Sequence, residues 1–196
     1  MNNIFSIFFR VYNYFIKKGF AHFGKGSSIK PFLNTTNKQY IWIGEKVNIG
    51  SFSWVAVSID FRGLKTRSKR KIRLKIGDNV SIGNNAFILA NNNLQIGSNV
   101  ILAPYVYVSD HIHQFHEVEK NLSDQPLSEN GETIIEDNVF VGIKASILPN
   151  VRVGRHSVIG ANTVVTKDVP PFSVVVGNPG RVIKKYNFSE NRWLKV

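Results

Sequence analysis

Aliphatic residues recur every six positions from Ile135 through Val141, Ile147, Val153, Ile159 and Val165, a spacing that a 3.6-residue helix does not produce. Gly142, Gly154 and Gly160 directly follow three of them, and four positions further on Val139, Ala145, Val151, Ser157, Thr163 and Val169 are all small or β-branched. The same register runs through Ile43, Ile49 and Val55, through Ile76, Ile82, Ile88 and Leu94, and, after a two-residue phase shift, through Ile96, Leu102 and Val108. A coil of short strands accounts for these sixteen positions: one aliphatic residue per hexad points to the axis, and glycine relieves crowding where the chain turns. Three hexads close a triangular turn of about eighteen residues, and stacked turns bury a continuous column. An ordinary sandwich has no reason to hold a six-residue register across the 31 residues from Ile135 to Val165. The predicted fold is all-β, a parallel β-helix over residues 36–196 with a short C-terminal tail, preceded by a helical segment at 1–35.

The pattern predicts that segment as an amphipathic helix. Ile4, Phe8, Tyr12 and Phe15 form one stripe with Phe5, Phe9 and Ile16 beside it, while Ser6, Arg10, Asn13 and Lys17 take the narrower polar side. The apolar stretch from Ile4 to Ile16 is too short to span a bilayer and has neither the lead-in nor the cleavage site of a secretory signal. Two readings stand: a helix packed on protein, or an interfacial helix on an anionic membrane. Two loops interrupt the repeats, at 60–75 and at 109–133. Pro170, Pro171 and Pro179 mark the end of the coil.

Charge changes the picture more than composition does. The net charge is +12, and residues 1–75 hold 15 of the 25 Lys and Arg against only Glu45 and Asp60, so the basic excess lies in the first part of the chain. It is densest in the first loop, in Arg62, Lys65, Arg67, Lys69, Arg70, Lys71, Arg73 and Lys75. Such a run suits anionic lipid headgroups, the diphosphate of a lipid-linked sugar, or simply a solvated loop. No nucleic-acid-binding module accompanies it, so a nucleic-acid partner is not expected. The absence of cysteine removes disulfides, thiolate metal sites and a cysteine nucleophile, and fits a reducing, cytoplasmic compartment with at most peripheral membrane contact.

The hexads, the segment SDHIHQFHE at 109–117 and the run IGANTVVTKDVPPFSVVVGNPGRVIKKYN at 159–187 together resemble the left-handed β-helix acyltransferases that use acetyl-CoA. Within that family, the Asp-His-x-His segment and the ending KKYNFSENRW are similar to the O-acetyltransferases of lipopolysaccharide O-antigen and capsule assembly. The left hand is implied by the resemblance alone, because crossover chirality by itself favours the right. The implied activity is O-acetyl transfer to a saccharide hydroxyl, in a homotrimer whose neighbouring subunits share the CoA groove. The resemblance places CoA contacts at Phe140, Gly160, Ala161, Thr166, Lys167, Arg181 and Lys184, an oxyanion donor near Gly142 and Ile143, and acceptor contacts at Asn84 or Asn85.

The second loop holds His111, His113 and His116. Histidine suits removal of a hydroxyl proton near neutrality, and the family position makes His111 the general base, with His113 the backup or a ligand contact. Asp110 either orients His111 or shapes the turn; adjacent side chains on an extended chain point apart, which favours the turn. The spacing of His111 and His116 also matches β-helix carbonic anhydrases, but the third histidine a zinc site needs one coil earlier is missing between His22 and His111, so no metal is expected. Without cysteine or an activated serine, direct transfer without an acyl-enzyme is expected. Asn84, Asn85, Asn91, Asn92 and Asn93 suit either sugar hydroxyls or left-handed corner conformations. Small-molecule acceptors (serine, a nucleotide-linked amino sugar, an antibiotic) and a non-catalytic scaffold that binds polyanions remain alternatives.

Overall fold

Hexad spacing becomes three parallel walls in the computed structural model, which describes residues 2–66, 68–129 and 131–196, with side chains from residue 7 onward. The first wall stacks His22–Phe23, Ile41–Ile43, Leu74–Ile76, Asn93–Ile96, Glu132–Ile135 and Arg152–Val153. The second stacks Ser28–Ile29, Asn48–Ile49, Ser81–Ile82, Ile101–Leu102, Phe140–Val141, Val158–Ile159 and Ser173–Val176. The third stacks Trp54–Val57, Phe87–Ala90, Tyr107–Ser109, Ser146–Ile147 and Val164–Val165. Consecutive strands lie on successive walls, so every pairing within a wall joins one turn to the next and is parallel until the C-terminal hairpin.

All sixteen register positions are buried, none more than 3% exposed, and Val139, Ala145, Val151, Ser157, Thr163 and Val169 are buried beside them. Sequence spacing and packing are one fact here, because a side chain that points to the axis at one corner must recur after each flat wall. Corner glycines answer close approach rather than backbone conformation: a Cβ on Gly83 would lie 2.4 Å from the Pro104 nitrogen, and one on Gly154 2.4 Å from that of Pro171. The left-handed residue comes two positions later, for example Asn85 (φ 56°) after Gly83 and His156 (φ 55°) after Gly154. Among the described residues asparagine holds 8 of the 16 non-glycine positions with positive φ, as its tolerance of that region allows.

The phase shift also has a physical origin. Leu94 pairs with Leu74 and Ile96 with Ile76, so two extra residues are absorbed at the corner between Ala90 and Asn93. The loop at 60–75 is anchored at its start by a hairpin, Asp60–Phe61 with Leu64–Lys65, and both insertions leave at the corner between the third wall and the first.

The coil begins earlier than expected. The helix α1 covers Asn2–Ile16, and His22–Phe23 and Ser28–Ile29 already pair with the next turn, so the segment at 1–35 is helical only in its first half. Its packed side is also rotated from the expected stripe. Tyr12 and Ile16 pack on the core and Asn13 turns inward, whereas Phe8 and Phe15 are exposed; the side chains of Ile4, Phe5 and Ser6 lie outside the described residues. An open strand edge explains Asn13: its amide accepts from the Ile29 N–H at 2.8 Å and donates to the Ile29 carbonyl at 3.0 Å, satisfying groups that the first coil leaves unpaired. At the other end the predicted tail is an antiparallel hairpin, Arg181–Asn187 with Arg192–Lys195, that extends the second wall.

Candidate active site

Asp110 organises the corner at which the second insertion leaves. It is fully buried, directly after the strand Tyr107–Ser109, and its carboxylate accepts three consecutive backbone N–H groups. Asn91 donates to Oδ1 at 2.7 Å, and Asn92 and Asn93 donate to Oδ2 at 2.8 and 2.7 Å. The two-residue phase shift is the peptide needed to wrap this carboxylate. The amide side chains of the same residues then hold the insertion's return: Asn91 donates to the Ser128 carbonyl and Asn92 to the Gly131 carbonyl, each at 3.0 Å, and Asn93 donates to the Glu132 carboxylate. None of the three has positive φ, so they do not supply the left-handed corner, and each amide NH2 group donates to the insertion's return.

The remaining capacity of Oδ1 goes to His111, whose Nδ1 lies 2.9 Å away. A carboxylate only accepts, so Nδ1 carries a proton, and in the neutral ring Nε2 keeps its lone pair. Asp110 therefore shapes a turn, that of residues 91–93, and also orients His111; adjacency does not separate them because the extended strand ends at Ser109. Ser109, itself buried, fixes the His111 backbone by accepting its N–H at 3.2 Å and donating to its carbonyl at 2.9 Å. The His111 side chain is only 10% exposed. His113 is exposed and rests edge-on against Phe61 at 4.5 Å between ring centroids, and His116 lies beside Phe115.

Below this corner Arg73 crosses from the first insertion. Its guanidinium donates to the Thr66 hydroxyl at 2.8 Å, the Ser68 carbonyl at 2.6 Å and the Asn91 carbonyl at 3.1 Å, and lies 4.9 Å from the Tyr40 ring. Burial lowers its pKa from the ordinary arginine value, while Tyr40 and Asp110 act in the opposite direction. Arginine stays cationic under such a shift and balances the buried Asp110. Sequence reasoning placed Arg73 among the surface cations and missed this role; its only signal was its position immediately before the Leu74–Ile76 strand.

The residues expected to hold CoA fall on other parts of the coil. Gly142, Ile143, Gly160 and Ala161 stack at the corner between the second and third walls, Phe140 faces outward from the second wall at 41% exposure, and Arg181 and Lys184 lie on the hairpin extending that wall. Thr166 and Lys167 instead share the corner column of His111, after Val164–Val165. Gly142 is not a free oxyanion donor, because its N–H already donates to the Ile159 carbonyl at 2.8 Å. The Ile143 N–H donates to no group among the described residues. Asn84 and Asn85 stand in the Gly142 column, where the Asn84 side-chain oxygen accepts the Ser51 N–H at 2.9 Å and Asn85 is the left-handed corner residue. One chain thus carries the base on one edge of the prism and most of the expected donor groove on another. No group of three His, Asp or Glu side chains able to hold a metal occurs among the described residues.

Residues 132–167 match the family model described as "Bacterial transferase hexapeptide (six repeats)", so the six-residue spacing there is the repeat of that model, and the fold is the left-handed parallel β-helix. The curated relatives are acetyltransferases. A putative lipopolysaccharide biosynthesis O-acetyl transferase of Escherichia coli is 30% identical over 125 residues, 61% of this chain and 64% of that protein. A galactoside O-acetyltransferase of Escherichia coli is 38% identical over 122 residues, 57% of this chain and 56% of that protein. A probable acetyltransferase of Mycobacterium tuberculosis is 27% identical over 89% of this chain and 53% of its own length, so the chain spans between about half and two thirds of these relatives. Among solved structures, AntD, an N-acyltransferase from Bacillus cereus in complex with dTDP and 3-hydroxybutyryl-CoA, shares the fold with a TM-score of 0.72 at 20% identity, covering 89% of this chain and 88% of that one.

Proposed function

We propose that the protein is an acetyl-CoA-dependent O-acetyltransferase acting on a hydroxyl of a bacterial cell-surface saccharide, with His111 as general base. The observation that carries this reading is the oriented dyad: a buried carboxylate holds the proton on Nδ1 and leaves Nε2 as the acceptor. Nε2 takes the hydroxyl proton as the saccharide oxygen attacks the thioester carbon; the C–S bond then breaks, and the proton passes to the departing CoA sulfur. The Ile143 N–H is the backbone donor for the transient oxyanion, and Lys167, Arg181 and Lys184 are the partners for CoA phosphates. The saccharide assignment rests on the similarity of the loop and of the curated relatives, two of which are named for lipopolysaccharide biosynthesis and galactoside O-acetylation. Release of CoA thiol from acetyl-CoA should rise severalfold over the blank when saccharide acceptors are supplied. Release that responds to serine or chloramphenicol and to no sugar would reject the saccharide reading.

The separation of His111 from the Gly142 and Gly160 corner supports a site built between copies, and we infer a homotrimer. Light scattering should give a mass near three times 22.1 kDa; an active species at 22.1 kDa would overturn it. No helix among the described residues is long and apolar enough to cross a membrane. The face of α1 turned from the body exposes Ile7, Phe8, Val11, Tyr14 and Phe15 beside Arg10, Lys17 and Lys18, which supports peripheral contact with anionic lipid at the cytoplasmic face.

A further inference from the structure

The basic insertion is not remote from the His111 loop; the two are docked together. The hairpin Asp60–Phe61 and Leu64–Lys65 turns through Arg62 and Gly63, both with positive φ, and the Gly63 N–H is tied to the Asp60 carboxylate at 2.9 Å. This built turn carries the Phe61 ring onto His113, two residues from the base. Further along, Arg73 fixes the insertion's other limb through Thr66 and Ser68 and grips the Asn91 carbonyl. One side chain therefore couples the position of the cation run to the turn that holds Asp110. Arg62, Lys65, Lys69, Arg70 and Lys71 are exposed, and none of the ion pairs among the described residues uses them. Arg67, within the same run, lies outside the described residues.

Five exposed like charges on one insertion repel one another, and nothing in acetyl transfer itself requires them. Their place is what gives them a use: the Phe61–His113 contact joins the hairpin that bears Arg62 and Lys65 to the loop that bears His111. We propose that this insertion is a clamp for a phosphate or diphosphate carried by the acceptor, so that the substrate is a phosphorylated sugar and not a free one. The shared chemistry is the sugar diphosphate ester, whether its far end is a nucleotide or a lipid. The hairpin's aromatic ring closes the sugar end, and the cations meet the anionic end by charge-assisted hydrogen bonds. The inference rests on the reading of His111 as the base, and it goes further by naming the acceptor's charge.

Two measurements keep the clamp and that reading apart. Inorganic pyrophosphate, titrated calorimetrically into the full chain, is expected to bind at low salt and to weaken by about tenfold or more in the Arg62→Gln, Lys65→Gln, Lys69→Gln, Arg70→Gln, Lys71→Gln variant. In steady-state assays kcat/KM for a sugar diphosphate should exceed that for the same free sugar by about tenfold or more, and the ratio should fall toward 1 in the variant. Nucleotide-linked and polyprenyl-linked diphosphates, run side by side, tell which far end is preferred. Pyrophosphate that binds the variant as well as the native chain, or a substrate ratio of 1 in the native chain, overturns the clamp. A variant that keeps the ratio but loses flotation with phosphatidylglycerol vesicles overturns it in favour of a membrane surface, and a rise in KM for acetyl-CoA assigns the cations to the donor. Variant-sensitive pyrophosphate binding with no CoA release on any sugar supports the clamp and rejects the O-acetyltransferase reading.

Discussion

Replacing His111 with alanine is expected to lower turnover by about 10²–10⁴, the loss of a positioned general base, which corresponds to about 3–5 kcal/mol of barrier. The fold should survive. Without the imidazole, the Asp110 carboxylate still accepts the N–H groups of Asn91, Asn92 and Asn93, so no buried charge is stranded. KM for acetyl-CoA should change little, because the residues proposed for CoA lie mostly on the second wall and its corner with the third. His113→Ala is the discriminating control: its ring is exposed and touches Phe61, and no ion pair among the described residues involves it. Steady-state kinetics on both variants decide the matter. A large loss in His113→Ala with near-native turnover in His111→Ala would move the base by two residues and remove the dyad from the mechanism.

The repeat was legible because its cause is local geometry: a wall of fixed width forces an inward side chain at a fixed interval, and spacing alone reports it. What spacing does not report are contacts made across coils. Asp110 meets peptide groups 17 to 19 positions earlier, and Arg73 reaches the Asn91 carbonyl 18 positions on; neither follows from a pattern one turn long. The signals were present as irregularities. The slip between Leu94 and Ile96 marks the corner that wraps the carboxylate, and the three consecutive asparagines inside it are the residues whose amides secure the loop. The face of α1 was misread for a related reason. Hydrophobic periodicity assigns Asn13 to solvent, but an unpaired strand edge needs hydrogen-bonding groups, and Asn13 supplies them to Ile29. Polar residues that complete backbone ladders look like surface residues in any hydropathy pattern.

Asp110→Asn carries the second large expectation, and the geometry makes it sharper than a simple charge deletion. Oδ1 accepts from the Asn91 N–H and from His111 Nδ1–H, while Oδ2 accepts from the N–H groups of Asn92 and Asn93. If the new amide places its oxygen at the Oδ1 position, its NH2 group faces two backbone donors and the 91–93 turn loses two hydrogen bonds. If it flips, the turn keeps those two, but the NH2 now points at the Asn91 N–H and at Nδ1. His111 must then accept at Nδ1 and carry its proton on Nε2, which removes the lone pair that takes the hydroxyl proton. Either arrangement also leaves Arg73 without its buried counter-charge. Turnover is expected to fall by about 10² or more and stability by about 2–4 kcal/mol. Equilibrium urea unfolding measures the second, and kcat taken well below the unfolding transition measures the first. A variant that unfolds more easily yet turns over at the native rate while folded would show that Asp110 serves the turn alone, and that His111 holds its tautomer without it.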